Sequence, residues 1–125
     1  MSKKILIIED DQHLTGIYNK KLAGEGFDVI VARDGKAGLK LAAKEAPDLI
    51  ILDLLLPRMP GIEVLKNLKA AAPLQSIPVI VTSNLAAKNI IDECLALGAV
   101  DFIIKAHINL SELAIRVKRA LDSGG

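Results

Sequence analysis

Several polar side chains stand directly at the ends of short apolar runs, and their types suit chemistry on a phosphoryl group. The run ILII (5–8) leads into Glu9, Asp10 and Asp11, and DLIILD closes on Asp53. PVIV leads into Thr82 and Ser83, and VDFII leads into Lys105. If these run ends share one place in the fold, Glu9, Asp10 and Asp53 crowd together. Carboxylates at close range raise one another's pKa unless a cation intervenes. A hard divalent ion with oxygen ligands relieves that repulsion. Mg2+ suits the set, because it takes few carboxylates and keeps places for water and phosphate oxygens; Mn2+ is the alternative. Such an ion also offsets the charge of an incoming phosphoryl group. Asp53 is then placed to attack phosphorus and become an acyl phosphate. Lys105 would pair with the charge at Asp53, and Thr82 would donate a hydrogen bond to a phosphoryl oxygen.

Each residue alone has a plainer reading. An acidic triplet after an apolar run is ordinarily a solvated turn or a helix N-terminus. A lone Asp at such a place is a cap or turn residue, and a lone Thr after Val-Ile-Val is a strand residue. Their joint occurrence is the signal, so the elements that would gather them decide the matter.

Five runs rich in Ile and Val recur along the chain: ILII (5–8), DVIVA (28–32), DLIILDL (48–54), PVIVT (78–82) and VDFII (100–104). Short and nearly continuous in apolar character, they read as strands buried on both faces. Helical spacing fills the gaps. Leu14, Ile17, Tyr18 and Leu22 set the first helix, and Leu39, Ala42 and Ala43 the second. Ile62, Leu65 and Leu68 set the third, and Ile90, Ile91, Cys94, Leu95 and Leu97 the fourth. Leu110, Leu113, Ile115, Val117 and Leu121 set the fifth. Gly26 and Gly98 fall just past helix ends, where a left-handed residue is wanted. Pro47 and Pro73 also stop helices, and either Asn109 or Ser111 caps the last one. Five strand–helix repeats predict an α/β fold with a parallel sheet covered on both faces. In such a sheet ligands bind outside the carboxyl ends of the strands, the edge on which all the polar residues above would fall.

The chain has 125 residues, enough for one domain with a sufficient core. Residues 1–122 are expected to form it, with 123–125 as a tail or linker stub. Sixteen basic against fifteen acidic residues leave a net charge of +1, which provides no electrostatic footprint for nucleic acid. Tyr18, Phe27 and Phe102 are too few aromatics for a base-stacking platform. The single cysteine, Cys94, allows no intramolecular disulfide and fits a reducing compartment. With two histidines, His13 and His107, a zinc site is not expected. The first apolar run is too short for a secretory signal, and no run approaches a membrane span. The expectation is a cytoplasmic protein that binds neither membrane nor nucleic acid directly.

In order, KILIIEDD, DLIILDLLLPRMPG, PVIVTSN and GAVDFIIK resemble the motifs of response-regulator receiver domains, over residues 3 to 121. The resemblance implies a flavodoxin-like (βα)5 three-layer sandwich with strand order 2-1-3-4-5, as in the chemotaxis receiver. It implies that Asp53 is the phosphoacceptor of a two-component phosphorelay. Asp10 would be a direct metal ligand, Glu9 one through water, and the backbone carbonyl of Leu55 a third protein ligand beside Asp53. Thr82 would be the switch hydroxyl, Phe102 the switch aromatic, and Lys105 the family lysine. Pro57 and Gly61 match the loop after the phosphoacceptor. The implied donor is a histidine kinase or phosphotransfer protein, docking near His13, Leu14, Ile17 and Tyr18. The implied output is a changed face of helix four, strand five and helix five. That face would serve a downstream protein or output domain, with the chain a monomer or a phosphorylation-dependent dimer.

Three departures from the family pattern involve four positions. Ala106 follows Lys105 where Pro is common, and a cis bond before Ala costs about 2.5–4 kcal/mol, so a trans bond and a different loop shape are expected. Pro60 precedes Gly61 in place of the more frequent acidic residue or glycine. Leu55 and Asn84 occupy the two positions that tune loss of phosphate, and Leu55 cannot orient water, so slow self-dephosphorylation is expected. The basic set Arg116, Lys118 and Arg119 reads most simply as a solvated helix end. Two other functions compete: a degenerate receiver acting as a phosphorylation-independent interaction module, and an aspartate-nucleophile phosphohydrolase. The intact set Asp10, Asp53, Thr82 and Lys105 speaks against the first. The second wants an acid at position 55, where Leu stands.

Overall fold

The structure is a computed structural model and describes residues 2–85 and 87–124. The five apolar runs become five parallel strands: β1 (Lys4–Ile8), β2 (Asp28–Ala32), β3 (Leu49–Asp53), β4 (Val79–Ser83) and β5 (Asp101–Ile104). Their order across the sheet is β2-β1-β3-β4-β5, the flavodoxin-like arrangement expected from the resemblance. Every residue of β3 and β4 is buried, whereas only Ala32 is fully buried in β2, an edge strand. Such burial explains why the central strands carry unbroken Ile, Leu and Val rather than an alternating pattern.

Five helices complete the repeats: α1 (Gln12–Gly24), α2 (Gly35–Glu45), α3 (Gly61–Ala70), α4 (Lys88–Ala96) and α5 (Leu110–Gly124). Alternate strand residues feed two cores. On one face Ile5, Ile7, Leu49, Ile51, Ile80 and Ile103 pack against Tyr18 and Leu22 of α1 and Leu113 and Val117 of α5. On the other, Leu6, Ile8, Ile50, Leu52, Val79 and Val81 pack against Ala42 of α2, Leu65 and Leu68 of α3, and Cys94 of α4. Full burial of each such Ile or Leu stabilises the fold by about 1.5–3 kcal/mol, so the sheet is held rigidly from both sides.

Helix ends follow the local chemistry. Asp11 caps α1 by accepting from the Leu14 N–H at 3.1 Å, and Asp34 caps α2 by accepting from the Ala37 N–H at 2.8 Å. The last helix is capped by Asn109, which accepts from the Glu112 N–H at 2.7 Å; Ser111 lies inside the helix. Gly26 and Gly98 take positive φ values of 96° and 110° just past α1 and α4, as expected. The end of α2 differs: Ala46, not a glycine, takes the left-handed conformation (φ 45°), with Pro47 next.

Four residues assigned to apolar helix faces point to solvent instead. Leu95, Leu110 and Ile115 are 45%, 37% and 54% exposed, and Ala43 is exposed as well. A helix laid on a sheet buries one stripe, and Ala42, Cys94 and Ala114, each one step along the chain, take the buried places. The helix α5 continues through Ser123 to Gly124, two of the three residues assigned to the tail, and Gly125 lies outside the described residues.

Candidate functional site

The sheet register brings the polar run ends to one edge. Ile8 pairs with Leu52, so Glu9 and Asp53 leave neighbouring strands at the same level. Asp53 pairs with Thr82 on its other side. Thr82 pairs with Ile103 and Ser83 with Ile104, and Lys105 follows at once. The chain turns from β1 to β2 on one side and to β3 on the other, so Glu9 and Asp53 flank the point where the strand order reverses. Open α/β sheets bind their ligands there.

Glu9, Asp53 and Thr82 are all buried, at 3%, 3% and 1% exposure. The Lys105 ammonium lies between the two acids, 2.5 Å from Glu9 Oε1 and 3.0 Å from Asp53 Oδ1. Further donors hold the carboxylates in place. The Asp11 N–H donates to Glu9 Oε2 at 3.1 Å, and the Leu55 N–H donates to Asp53. Burial raises the pKa of Asp53, and the Glu9 charge raises it further, against the opposing pull of Lys105. Burial by itself would lower the pKa of Lys105, but hydrogen bonds and charge from Glu9 and Asp53 outweigh it and raise it. The result is a desolvated acid that keeps a fixed cation beside it, a setting in which local charge acts strongly.

The loop after Asp53 is shaped for close approach. The Gly61 N–H donates to the Leu54 carbonyl at 2.9 Å, and a Cβ at Gly61 would run into the Asp53 carbonyl oxygen and the Leu54 Cα. Only glycine lets the start of α3 lie against the end of β3. Pro60 precedes it, and its carbonyl accepts from the Glu63 and Val64 N–H groups. Leu55 is 61% exposed on the rim. Phe102 is half-buried and packs against the α2/α3/α4 core. The one cis peptide bond among the described residues is Ala72–Pro73, so Lys105–Ala106 is trans, as expected for a non-proline residue. After β5 the chain makes a 3-10 turn, Lys105–His107.

The acidic triplet divides its labour. Glu9 enters the site, Asp11 is a helix cap, and Asp10 is exposed between them. Among the described residues no three His, Cys, Asp or Glu side chains are gathered closely enough to hold a metal ion. The oxygens nearby are nevertheless of the type a hard cation takes: carboxylates on Glu9, Asp10 and Asp53 and the Leu55 carbonyl could hold one if Asp10 turned inward. Without such an ion, Lys105 is the charge that offsets Glu9 and Asp53. His13 and His107 are exposed; Leu14 packs against the α1/α5 core and Ile17 is half-buried.

One reading of the basic residues needs correcting. Arg116 is no solvated helix end: it grips Asp101 with Nε at 2.7 Å and Nη2 at 2.6 Å, and Nη2 reaches the Phe102 carbonyl at 3.3 Å. It thereby fastens α5 to β5 beside the aromatic ring. Lys118 pairs with Glu25 at 2.5 Å. Local spacing could not reveal either contact, because each partner lies outside the helix, where its periodicity says nothing. A third contact missed from sequence joins the Asn84 side chain to the Ala106 N–H at 3.0 Å.

An open parallel sheet with a buried acid–lysine cluster at its switch point defines a class of doubly wound α/β domains with a ligand site at the sheet's carboxyl edge. The comparisons narrow it to one family. The family model described as "Response regulator receiver domain" matches residues 5–118. The alkaline phosphatase synthesis transcriptional regulatory protein PhoP of Bacillus subtilis is 36% identical over 97% of this chain and 49% of its own length. The DNA-binding response regulator MtrA of Mycobacterium tuberculosis is 37% identical over 97% of this chain and 51% of its own. A CheY-like receiver domain protein from Methanospirillum hungatei superimposes with a TM-score of 0.92 at 28% identity, covering 99% and 97% of the two chains. The receiver domain of Francisella response regulator 1452 gives 0.91 at 31% identity, covering 99% and 100%. The chain belongs to the response-regulator receiver family of two-component signalling. It spans about half the length of the curated relatives it matches. No described helix is long and apolar enough to cross a membrane.

Proposed function

We propose that Asp53 is the phosphoacceptor of this receiver, and that its phosphorylation switches the face formed by α4, β5 and α5. The supporting observation is the buried Asp53 carboxylate, 3.0 Å from the Lys105 ammonium and level with Thr82 at the sheet's carboxyl edge. Asp53 attacks the phosphorus of a phosphohistidine on a histidine kinase or phosphotransfer protein. The new O–P bond forms as the P–N bond breaks, and the imidazole leaves with the bonding pair. Glu9, Asp10, Asp53 and the Leu55 carbonyl would hold Mg2+ or Mn2+, which supplies positive charge against the phosphoryl oxygens. Lys105 adds its own charge beside Asp53, and the Thr82 hydroxyl donates to a phosphoryl oxygen. As Thr82 moves toward phosphate, Phe102 turns inward and biases the two-state face toward its partner.

On this reading the domain, whose last helix runs to Gly124, is a cytoplasmic signalling domain rather than a turnover enzyme. Loss of phosphate is slow, because the exposed Leu55 side chain cannot orient water. The output is a downstream protein or an attached output domain, reached as a monomer or as a phosphorylation-dependent dimer. The test is to incubate the protein with Mg2+ and a small acyl-phosphate donor and to measure intact mass. One phosphoryl adduct is expected, and none in Asp53→Asn. No adduct in the wild type, or one that survives the substitution, overturns the proposal.

A further inference from the structure

Lys105 must be presented by backbone that has already left the sheet. The last rung between β4 and β5 is Ser83 with Ile104, and Lys105 opens the 3-10 turn that follows. That turn has no side-chain cap of its own, and Ala106 and His107 are exposed. A long lysine stem on a loose turn would spread its ammonium over many positions. Instead the ammonium sits on Glu9 and Asp53 together. The contact that ties the turn down comes from 22 residues away: Asn84 Oδ1 accepts from the Ala106 N–H at 3.0 Å. A side chain thus continues the β4–β5 ladder one step past the point where backbone pairing ends.

We propose that Asn84 is a positioning residue: it holds the turn that carries Lys105 and so places the ammonium against Glu9 and Asp53. The same strand end carries Thr82 two residues earlier, so the latch also ties the loop after β4 to the lysine. Ala106 is the matching half, because it has an N–H to give. Proline at this position would have none. Only the consequence for phosphoryl transfer rests on the proposed function; the latch and its hold on Lys105 do not.

The experiment compares 15N-labelled wild type with Asn84→Ala, Asn84→Asp, Ala106→Pro and the Asn84→Ala/Ala106→Pro pair. Three quantities are read: solvent exchange of the residue-106 amide where one exists, the 15Nζ resonance of Lys105, and the initial rate of phosphorylation by a small acyl phosphate with Mg2+. Loss of one neutral hydrogen bond is expected to speed Ala106 amide exchange by roughly threefold to tenfold in Asn84→Ala. The Lys105 resonance broadens as its ion pairs loosen, and the phosphorylation rate falls by a similar factor. Asn84→Asp keeps an acceptor oxygen and restores amide protection. Ala106→Pro broadens the Lys105 resonance as Asn84→Ala does, and the pair goes no further than either alone, as expected when both remove one contact. Wild-type exchange and an unchanged Lys105 resonance in Asn84→Ala would overturn the latch, as would additive effects in the pair. If Ala106→Pro does not fold, Asn84→Ala against Asn84→Asp decides alone. A wild type that takes no phosphoryl group sinks the proposed function, and the two resonance measurements still decide the latch.

Discussion

Replacing Lys105 by Met removes the cation that, among the described residues, Glu9 and Asp53 share. The apolar stem keeps much of its packing, so the change isolates the charge. The side chains of Glu9 and Asp53 are each 4% exposed and that of Lys105 16%, so water cannot take over its role. Breaking a buried pair by removing one partner costs about 3–5 kcal/mol. The partial exposure of Lys105 puts the expected loss near the lower end, about 3 kcal/mol at neutral pH, or roughly 10 °C in Tm for a domain of this size. The loss is pH-dependent with a definite sign. Burial and the Glu9 charge already raise the pKa of Asp53 in the folded chain, and Lys105, ahead of the Leu55 N–H, opposes them most. Without it the folded pKa rises further, so the folded state holds its proton more tightly than the unfolded one. Stability is then retained at low pH and lost as pH climbs from the ordinary aspartate value through the raised one. Urea unfolding of both proteins between about pH 4 and 8 reads this directly. The penalty opens across that range and closes at its acid end. A penalty that is flat with pH, or below about 1 kcal/mol at neutrality, would refute the shared-cation reasoning.

Other perturbations test separate parts of the structure. Ala46 holds a left-handed conformation that costs a non-glycine residue roughly 1–2 kcal/mol, so Ala46→Gly should raise the urea midpoint by the equivalent of about 1 kcal/mol. An unchanged or lower midpoint would contradict the assigned backbone. Arg116→Ala cuts a two-pronged grip on Asp101 and leaves that part-buried acid with the Phe102 N–H but no cation, an expected loss of about 1.5 kcal/mol in thermal or urea unfolding. If Arg116→Ala unfolds like the wild type, Arg116 is a solvated helix residue after all. Leu55→Asn puts a water-orienting amide beside Asp53 and should speed decay of the phosphorylated protein by roughly tenfold, followed by intact mass after donor removal. An unchanged decay rate would end the idea that Leu55 protects the phosphate.

The strands and their shared edge were legible because the information is local. An Ile/Val run five residues long, closed by an acid or a hydroxyl, states both its burial and where its polar end falls. Parallel alternation then forces Glu9, Asp53, Thr82 and Lys105 together without knowledge of any contact. Strand order was a different matter: alternation alone fits several doubly wound orders, and the family motifs supplied the one observed. The helix faces were read too widely, because Leu95 and Ile115 lie only one step from Cys94 and Ala114, too little for apolar type alone to separate the buried stripe from its edge. The contacts that fasten the site were invisible for the same physical reason. Arg116 with Asp101, Asn84 with Ala106, and Lys105 with Glu9 each join two different elements, so neither helical nor strand spacing encodes them, and each residue looks solvated when read by itself. The choice of Asn109 over Ser111 as a cap likewise depended on where the first turn of α5 begins.

The most direct test of Asp53 as acceptor is to trap the acyl phosphate where it forms. Phosphorylated protein is reduced with borohydride, which converts an aspartyl phosphate to homoserine, and the peptides are sequenced by mass spectrometry. Homoserine at position 53, dependent on Mg2+ and on the donor, is the expected result. Aspartate unchanged at position 53, or the label at Asp10 or Asp11 instead, would contradict the assignment.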